Sequence, residues 1–302
     1  MVKKKQPLIS GRLYQDEAFR VVLRRLFLLW ARQKGKSYEL ARESFNLMMK
    51  TPGDLVTFIS ASVALGAELL RKDASLWQTM LTKMRAAAKT RDMRLTSTAD
   101  DLDLDALCDL FEHSKLEVRL WHDRTTCSRT RVIAPNPDTA VGWTAHIFGD
   151  EVGRWPEAKA VLEAIVPFMS SNRQLMMRLA TTPPPDDKHV TFELFSPPPG
   201  LVFPVNERGN FYKSGSGLMV HRVDIDDGHK AGMLVYHPDT GEPITPDEDR
   251  TLAFDKSAWD RNNRLAFLQG GTAAVSLASI TRAMALGTGK CIGVNITEEV
   301  LL

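Results

Sequence analysis

Residues 26–37 read LFLLWARQKGKS, and this stretch decides the fold. Its apolar start predicts a buried strand, and an amphipathic helix follows over about residues 38–49. A strand, a turn ending in Gly-Lys-Ser and a helix together form a cradle for a nucleotide phosphate. Backbone N–H groups of the turn and the helix N-terminus face the anion, Lys36 adds a positive charge, and Ser37 offers a hydroxyl to Mg²⁺. Trp30 stands where this type of loop usually has its first glycine.

The 302-residue chain has a net charge of +2, but its positive charge is concentrated at one end. Residues 1–50 contain 12 Lys and Arg against 4 Asp and Glu, which is +8 and leaves −6 for the remainder. Such a segment suits a polyanion such as a nucleotide or DNA, and a solvated face explains it equally well. Three widely spaced cysteines predict a reducing compartment and no zinc site. The sequence lacks a membrane-spanning apolar run and a signal peptide, so we expect an intracellular protein with no membrane contact.

Helices and strands alternate over the first 190 residues. Helical patterns cover residues 13–25, 38–49, 64–89 and 156–169, the last broken or bent near Pro167. Strand patterns begin at residue 26 and cover 55–62, 116–121, 130–133, 144–150 and 174–180. The alternation predicts a mostly parallel sheet covered on both faces, with ligands at the carboxyl ends of the strands. Lys36, Asp150-Glu151 and Thr181-Thr182 all follow predicted strand ends, so we expect them at one edge of the sheet.

These strand-end residues can supply the parts that hydrolysis of a nucleoside triphosphate requires. Lys36 and Ser37 serve the phosphates and Mg²⁺. Asp150 would hold Mg²⁺ through its water shell, and Glu151 would orient or deprotonate the attacking water. Gln15 could bond an adenine edge, although a lone glutamine is more often an ordinary surface residue.

Three further patterns carry weaker predictions. A basic stripe of Lys83, Arg85, Lys89, Arg91 and Arg94 is either a solvated face or a contact for the DNA backbone. Residues 245–248, TPDE, have the pattern of a helix start, and residues 277–284 predict a last helix. Residues 286–291, LGTGKC, imitate a phosphate loop, but they follow a helix and end in a cysteine, so we expect a simple helix-ending turn.

Several motifs, in this order, resemble the large terminase subunits of tailed bacteriophages, which are ATPases that pump DNA into empty capsids. They are WARQKGKS at 30–37, FISAS at 58–62, NPDTAVG at 136–142 before Asp150-Glu151, and ATTP at 180–183. The phosphate loop of that family, Arg-Gln-x-Gly-Lys-Ser/Thr, also lacks the first glycine. The motifs span about residues 14–185.

The resemblance implies an α/β fold of the P-loop NTPase class, of the ASCE (RecA-like) type, with a mostly parallel central sheet flanked by helices. It implies an ATPase core at 1–190, a smaller irregular lid or linker subdomain at 191–285, and a tail at 286–302 leading toward a nuclease domain, so no nuclease activity is expected of this chain. The implied cofactors are ATP and Mg²⁺. The implied partners are double-stranded DNA, the portal protein, the small terminase subunit and further copies in a ring, at the procapsid portal vertex in the host cytoplasm.

The resemblance also assigns roles to single residues. Arg32, Lys36 and Glu151 are implied as catalytic residues, with Arg32 sensing the γ-phosphate. The implied nucleotide contacts are Gln15, Arg32, Gln33, Gly35, Lys36, Ser37 and Asp150; Ser37 and Asp150 hold Mg²⁺, and Thr181-Thr182 couple hydrolysis to DNA movement.

The chain departs from the family pattern at two positions. Val141 stands where relatives often have an arginine, and Gly149 replaces a bulky apolar residue. Another arginine would then have to assist catalysis, either Arg32 or one of Arg129, Arg131 and Arg154, which flank the same predicted strand ends. Two alternatives remain open from the sequence: a helicase-like DNA-dependent ATPase, and a catalytically silent subunit for assembly or DNA binding.

Overall fold

A computed structural model describes residues 9–90, 111–113, 117–140 and 144–267. The predicted features at Val141, Arg91, Arg94 and residues 277–291 lie outside these ranges. The helices are α1 (Leu13–Arg20), α2 (Lys36–Lys50), α3 (Val63–Thr90), α4 (Pro137–Ala140), α5 (Ala158–Ile165), α6 (Phe168–Ser171), α7 (Val190–Phe195), α8 (Ile225–Lys230), α9 (Pro246–Leu252) and α10 (Lys256–Asn263), with a 3₁₀ turn at Val152–Arg154. No helix in the described ranges is long and apolar enough to cross a membrane.

The strands form one large sheet and one small hairpin. They are β1 (Arg25–Trp30), β2 (Leu55–Ser60), β3 (Phe111–His113), β4 (Glu117–Trp121), β5 (Cys127–Ile133), β6 (His146–Asp150), β7 (Met177–Thr181), β8 (Asn210–Lys213), β9 (Met219–Val223), β10 (Val235–Tyr236) and β11 (Pro243–Ile244). The nine-stranded sheet has the order β3-β4-β5-β2-β6-β7-β1-β9-β8, and β10 pairs with β11. From β5 to β9 all neighbours are parallel, while β3, β4 and β8 pair antiparallel at the two edges. The predicted mostly parallel α/β sheet is confirmed.

The apolar runs of the central strands are continuous because both faces of the sheet are covered. In β1, Leu26 and Leu28 belong to a core shared with α1, α2 and α3. The alternate residues Phe27 and Leu29 belong to a second core shared with α5 and α7. Side chains alternate between the faces of a strand, so two layers of helices sandwich the sheet.

The predicted end of the first helix was wrong. The first helix ends at Arg20 rather than at residue 25, because Val21 is extended (φ −74°, ψ 115°) and the next residues lead directly into β1. Arg24 fixes this lead-in: its carbonyl accepts the Met177 N–H at 2.7 Å and its guanidinium donates to the Asn172 carbonyl at 2.7 Å. The sheet also extends past residue 190, since β9 pairs with β1 itself. The division of the chain into domains stays a prediction.

Two finer predictions were correct. The helix predicted over 156–169 is divided at Pro167 into α5 and α6. Thr245 caps α9: its hydroxyl accepts the Glu248 N–H, and the Glu248 carboxylate accepts the Thr245 N–H in return. These local signals depend on neighbouring residues alone, which is why the sequence reports them well.

Candidate active site at the carboxyl ends of the strands

The loop after β1 turns sharply before α2 begins. Gly35 has φ +82°, a left-handed conformation, and Gln33 also has a positive φ of 59°. These two turns make Lys36 and Ser37 the first residues of α2, where backbone N–H groups lack helical partners. A helix N-terminus with free N–H groups attracts anions, and the residues predicted to cradle a phosphate lie at such an N-terminus.

Lys36 is buried at the centre of this loop, with 6% of its surface exposed. Its Nζ donates to the carbonyl of Trp30 at 3.0 Å and approaches Glu151 Oε1 to 3.7 Å. Burial lowers the pKa of Lys36, and the carboxylates of Glu151 and Asp150 oppose this shift. A buried ammonium held mainly by carbonyl groups gains strongly from an anion, which is what a nucleotide phosphate supplies.

Asp150, the last residue of β6, meets the first turn of α2. Ser37 Oγ donates to Asp150 Oδ2 at 2.9 Å. Burial and the neighbouring Glu151 raise the pKa of Asp150, while Lys36 and Ser37 lower it. A divalent cation would relieve this burial cost, so the pair fits Mg²⁺. The residues described include no group of three His, Cys, Asp or Glu that could hold a metal, and a Mg²⁺–nucleotide site needs only one or two protein ligands.

Glu151 follows in a strained conformation. Its φ and ψ are 50° and 44°, which is left-handed and rare for a residue other than glycine. The surroundings impose it: the Glu151 N–H donates to Asp150 Oδ1 at 3.1 Å, the Arg154 N–H donates to the Glu151 carbonyl at 2.8 Å, and Trp155 Nε1 donates to the Asp150 carbonyl at 3.0 Å. The carboxylate therefore points away from the line of β6 and toward Lys36.

Gly149 is explained by the same turn. A Cβ at this position would lie 2.8 Å from Trp155 Cη2 and 2.7 Å from Leu179 Cδ2. The indole of Trp155 therefore occupies the space that a bulky side chain at position 149 would fill. The departure from the family pattern at Gly149 is thus compensated within the chain.

Thr181 connects the next strand to the Glu151 turn. Strand β7 lies between β1 and β6, so its end faces both halves of the site. Thr181 Oγ1 accepts the Gly153 N–H at 2.9 Å and donates to the Thr182 carbonyl at 2.7 Å. The turn after Glu151 is therefore joined to Thr181 by a direct hydrogen bond.

Helix α1 supports the loop from the opposite side. Gln15 is 2% exposed, so the interpretation as an ordinary surface residue was wrong. Its Nε2 donates to the Gly35 carbonyl at 3.3 Å and its Oε1 accepts the Arg12 N–H at 2.9 Å. Tyr14 OH donates to the Lys34 carbonyl at 2.9 Å. The sequence analysis missed Tyr14, and only its position beside Gln15 could have indicated it.

Ser60 is a second residue that received no role. It ends β2 directly opposite Asp150 in the strand pairing, and its buried Oγ has no hydrogen-bond partner in the described residues. Its place in the FISAS motif was the available signal. An unsatisfied hydroxyl beside the proposed metal carboxylate fits a site that binds a further polar group, such as water or phosphate.

The arginines considered for a catalytic role differ in their distance from the site. Arg32 lies at the site, with an exposed side chain and a backbone N–H that donates to the Asn262 carbonyl at 3.0 Å. Arg154 is in the 3₁₀ turn directly after Glu151. Arg129 pairs with Leu55, the first residue of β2, and so lies at the amino ends of the parallel strands, away from the site. The prediction that Arg129 flanks these strand ends was wrong, because the strand is longer at its start than its apolar pattern indicated.

No protein-family model matches the chain, and no curated protein matches its sequence. Solved structures do match it in fold. An arginine-to-alanine mutant of the large terminase ATPase domain of Thermus phage P74-26 superposes with a TM-score of 0.57 and 16% identity, over 86% of this chain and 95% of that one. The same domain in a second structure gives 0.56 and 16%, over 86% and 94%. The chain therefore has the fold of these ATPase domains, as the motif resemblance predicted.

Proposed function

We propose that this protein is the ATP-hydrolysing motor of a large terminase, which translocates double-stranded DNA into phage procapsids. The observation that carries the proposal is the convergence of Lys36 and Ser37 with Asp150 and Glu151, from the ends of two strands separated by β7. The likeness to terminase ATPase domains supports the choice of motor over other P-loop enzymes.

Each residue has a defined role in this proposal. Lys36 and the N–H groups around Gly35 and Gln33 bind the nucleotide phosphates, and Arg32 reaches the γ-phosphate from the same loop. Bound Mg²⁺ would neutralise phosphate charge, and Ser37 and Asp150 are the residues that would hold it.

Glu151 would orient the attacking water and accept its proton. Gln15 has a second amide N–H for the adenine base, beside its bond to Gly35. Thr181-Thr182 would transmit hydrolysis to the DNA-moving parts of the motor, because they are bonded to the turn that carries Glu151.

The proposed partners are double-stranded DNA, the portal protein, the small terminase subunit and further copies of this chain in a ring at the procapsid portal vertex, in the host cytoplasm. An arginine from a neighbouring subunit stabilises phosphoryl transfer strongly, by about 10³–10⁵ in rate when present. We therefore expect the activity per subunit to rise with protein concentration. A flat concentration series would leave Arg32 to act alone.

The decisive test is release of phosphate from ATP, with and without duplex DNA. Glu151→Gln should keep ATP binding and lose hydrolysis by roughly a hundredfold or more. Lys36→Ala should lose binding as well, because a phosphate charge is left without its ammonium. Glu157→Gln and Lys50→Ala are matched controls at exposed positions and should behave like the unmodified protein.

The outcome also separates the alternatives. No hydrolysis under any condition would favour the silent assembly subunit and overturn the proposal. Hydrolysis stimulated by single-stranded DNA, and not by duplex DNA, would favour the helicase-like ATPase. Hydrolysis at the full rate by Glu151→Gln would show that another group activates the water.

A further inference from the structure

A second cleft opens beside the proposed nucleotide site. It has a volume of about 420 Å³ and lies where the loop after β1, the turn after β6, the segment after β7 and the end of α10 meet. Its lining includes Arg32, Arg154, Trp155, Thr182, Arg261 and Asn262. Arg261 has no role in the proposals above, and Arg154 has none beyond being one candidate for the assisting arginine.

The cleft is cationic and carries no compensating charge. Three arginines line it, with His189 and several prolines, and no aspartate or glutamate does. In the described part of the chain, the side chains of Arg32, Arg154 and Arg261 have no ion-pair partner. Seven other arginines in the described ranges do pair with carboxylates, namely Arg42, Arg71, Arg119, Arg178, Arg222, Arg250 and Arg264. Guanidinium groups around one cleft repel each other, and a bound anion would offset that repulsion.

The walls of the cleft are preformed. A Cβ at Gly153 would lie 2.7 Å from Thr181 Oγ1 and 3.1 Å from the Thr182 carbonyl, so the 3₁₀ turn is packed directly on β7. Pro156, Pro183 and Pro185 line the same cleft, and the ring of each proline fixes its φ angle. The Asn262 carbonyl accepts the Arg32 N–H, which ties the end of α10, and with it Arg261, to the loop. The backbone segments that carry the three arginines are therefore positioned without a ligand, which lowers the entropy lost on binding.

We infer that this cleft binds a tetrahedral phosphate dianion, namely inorganic phosphate. Guanidinium groups match phosphate oxygens in planar, paired hydrogen bonds, and a dianion satisfies several of them at once. Arg32 borders both the cleft and the proposed nucleotide site. The cleft would therefore bind the phosphate produced by ATP hydrolysis as it leaves the nucleotide site, and this assignment of the phosphate's source rests on the proposed function. Thr182, which lines the same cleft, would contact the bound phosphate and so respond to its presence.

The binding test uses inorganic phosphate and no nucleotide. Phosphate is titrated by calorimetry into the full chain carrying Lys36→Ala, which removes the competing cradle. Binding should persist there, and adding Arg154→Ala or Arg261→Ala should weaken it about tenfold each, since a charge-assisted hydrogen bond is lost. Arg261→Lys should keep part of the affinity. Arg124→Ala, an exposed arginine in the turn before β5, is the matched control and should change nothing.

Two results would overturn the inference. The first is phosphate binding that disappears with Lys36→Ala alone, or that is unaffected by Arg154→Ala and Arg261→Ala. The second is duplex DNA binding that falls with the cleft variants while phosphate binding does not, which would assign the cleft to the phosphodiester backbone. Neither result depends on ATP hydrolysis, so a failure of the proposed function would be recognised separately, in the phosphate-release assay.

Discussion

The left-handed conformation of Glu151 leads to a prediction about stability that can be separated from the loss of activity. An L-residue in this region costs roughly 1–2 kcal/mol, which glycine does not pay. In an ordinary backbone conformation alanine is more stabilising than glycine by about 0.4–1 kcal/mol, because glycine has more freedom to lose on folding. At Glu151 the first effect exceeds the second. We expect Glu151→Gly to be more stable than Glu151→Ala by about 1 kcal/mol, or by about 2–4 °C in melting temperature for a chain of this size.

The comparison of these two variants isolates the backbone. Both remove the same carboxylate, so both lose the 3.7 Å approach to Lys36 and leave its ammonium equally uncompensated. Both should also lose hydrolysis by roughly a hundredfold or more, together with Glu151→Gln, because none carries a base. The free energy of unfolding is measured by urea titration at 25 °C, with the slope checked for constancy among variants.

The matched control is Glu193, an exposed glutamate within α7. There the helical backbone should make Glu193→Ala more stable than Glu193→Gly by about 1 kcal/mol. The same ordering at Glu151 would refute the reasoning, because it would mean that the left-handed turn is not strained. The expected inversion would instead show that the fold holds a costly conformation at the residue proposed to activate water, as functional sites often do.

Three further predictions concern the surroundings. Burial raises the pKa of Asp73 to about 7 from 3.8, so the carboxyl group keeps its proton in the folded state at a pH where the unfolded chain has lost it. The free energy of unfolding should therefore fall by up to roughly 4 kcal/mol as the pH rises from about 4 to 7. Asp73→Asn should remove most of this fall, which is measured by urea titrations at pH 5 and pH 8. Glu43→Gln leaves the buried Arg178 without its partner at 2.6 Å and should cost about 3–5 kcal/mol in the same assay, whereas adding Arg178→Met should recover most of it. Gly35→Ala forces a Cβ to 2.7 Å from Gln15 Nε2 at φ +82° and should abolish ATP binding measured by calorimetry; unchanged affinity would contradict the clamp by α1.

Much of the site could be predicted because strand ends are local features. The apolar runs of β1, β6 and β7 are visible in the sequence, and parallel strands bring their carboxyl ends to one edge. What the pattern could not give was the pairing of distant segments. Strand β9 follows loops rich in glycine and proline, and nothing in its five residues indicates that it pairs with β1. The bond between the Arg32 N–H and the Asn262 carbonyl joins residues 230 positions apart and has no sequence signature.

The packing of Trp30 explains why the phosphate loop lacks its usual first glycine. Its side chain is fully buried, lies at a right angle to the Tyr14 ring at 5.2 Å, and donates from Nε1 to His221 Nδ1 at 3.2 Å. Its φ is not positive, so the position does not require glycine, and the tight turn is made later, at Gln33 and Gly35. Trp30 instead joins β1 to α1 and β9, the elements that hold the loop from either side. A glycine in its place would empty a core site whose truncation to alanine already costs about 3–5 kcal/mol, and would free the loop that the cradle needs fixed. Trp30, the residue that departs from the common loop pattern, therefore anchors the proposed nucleotide site.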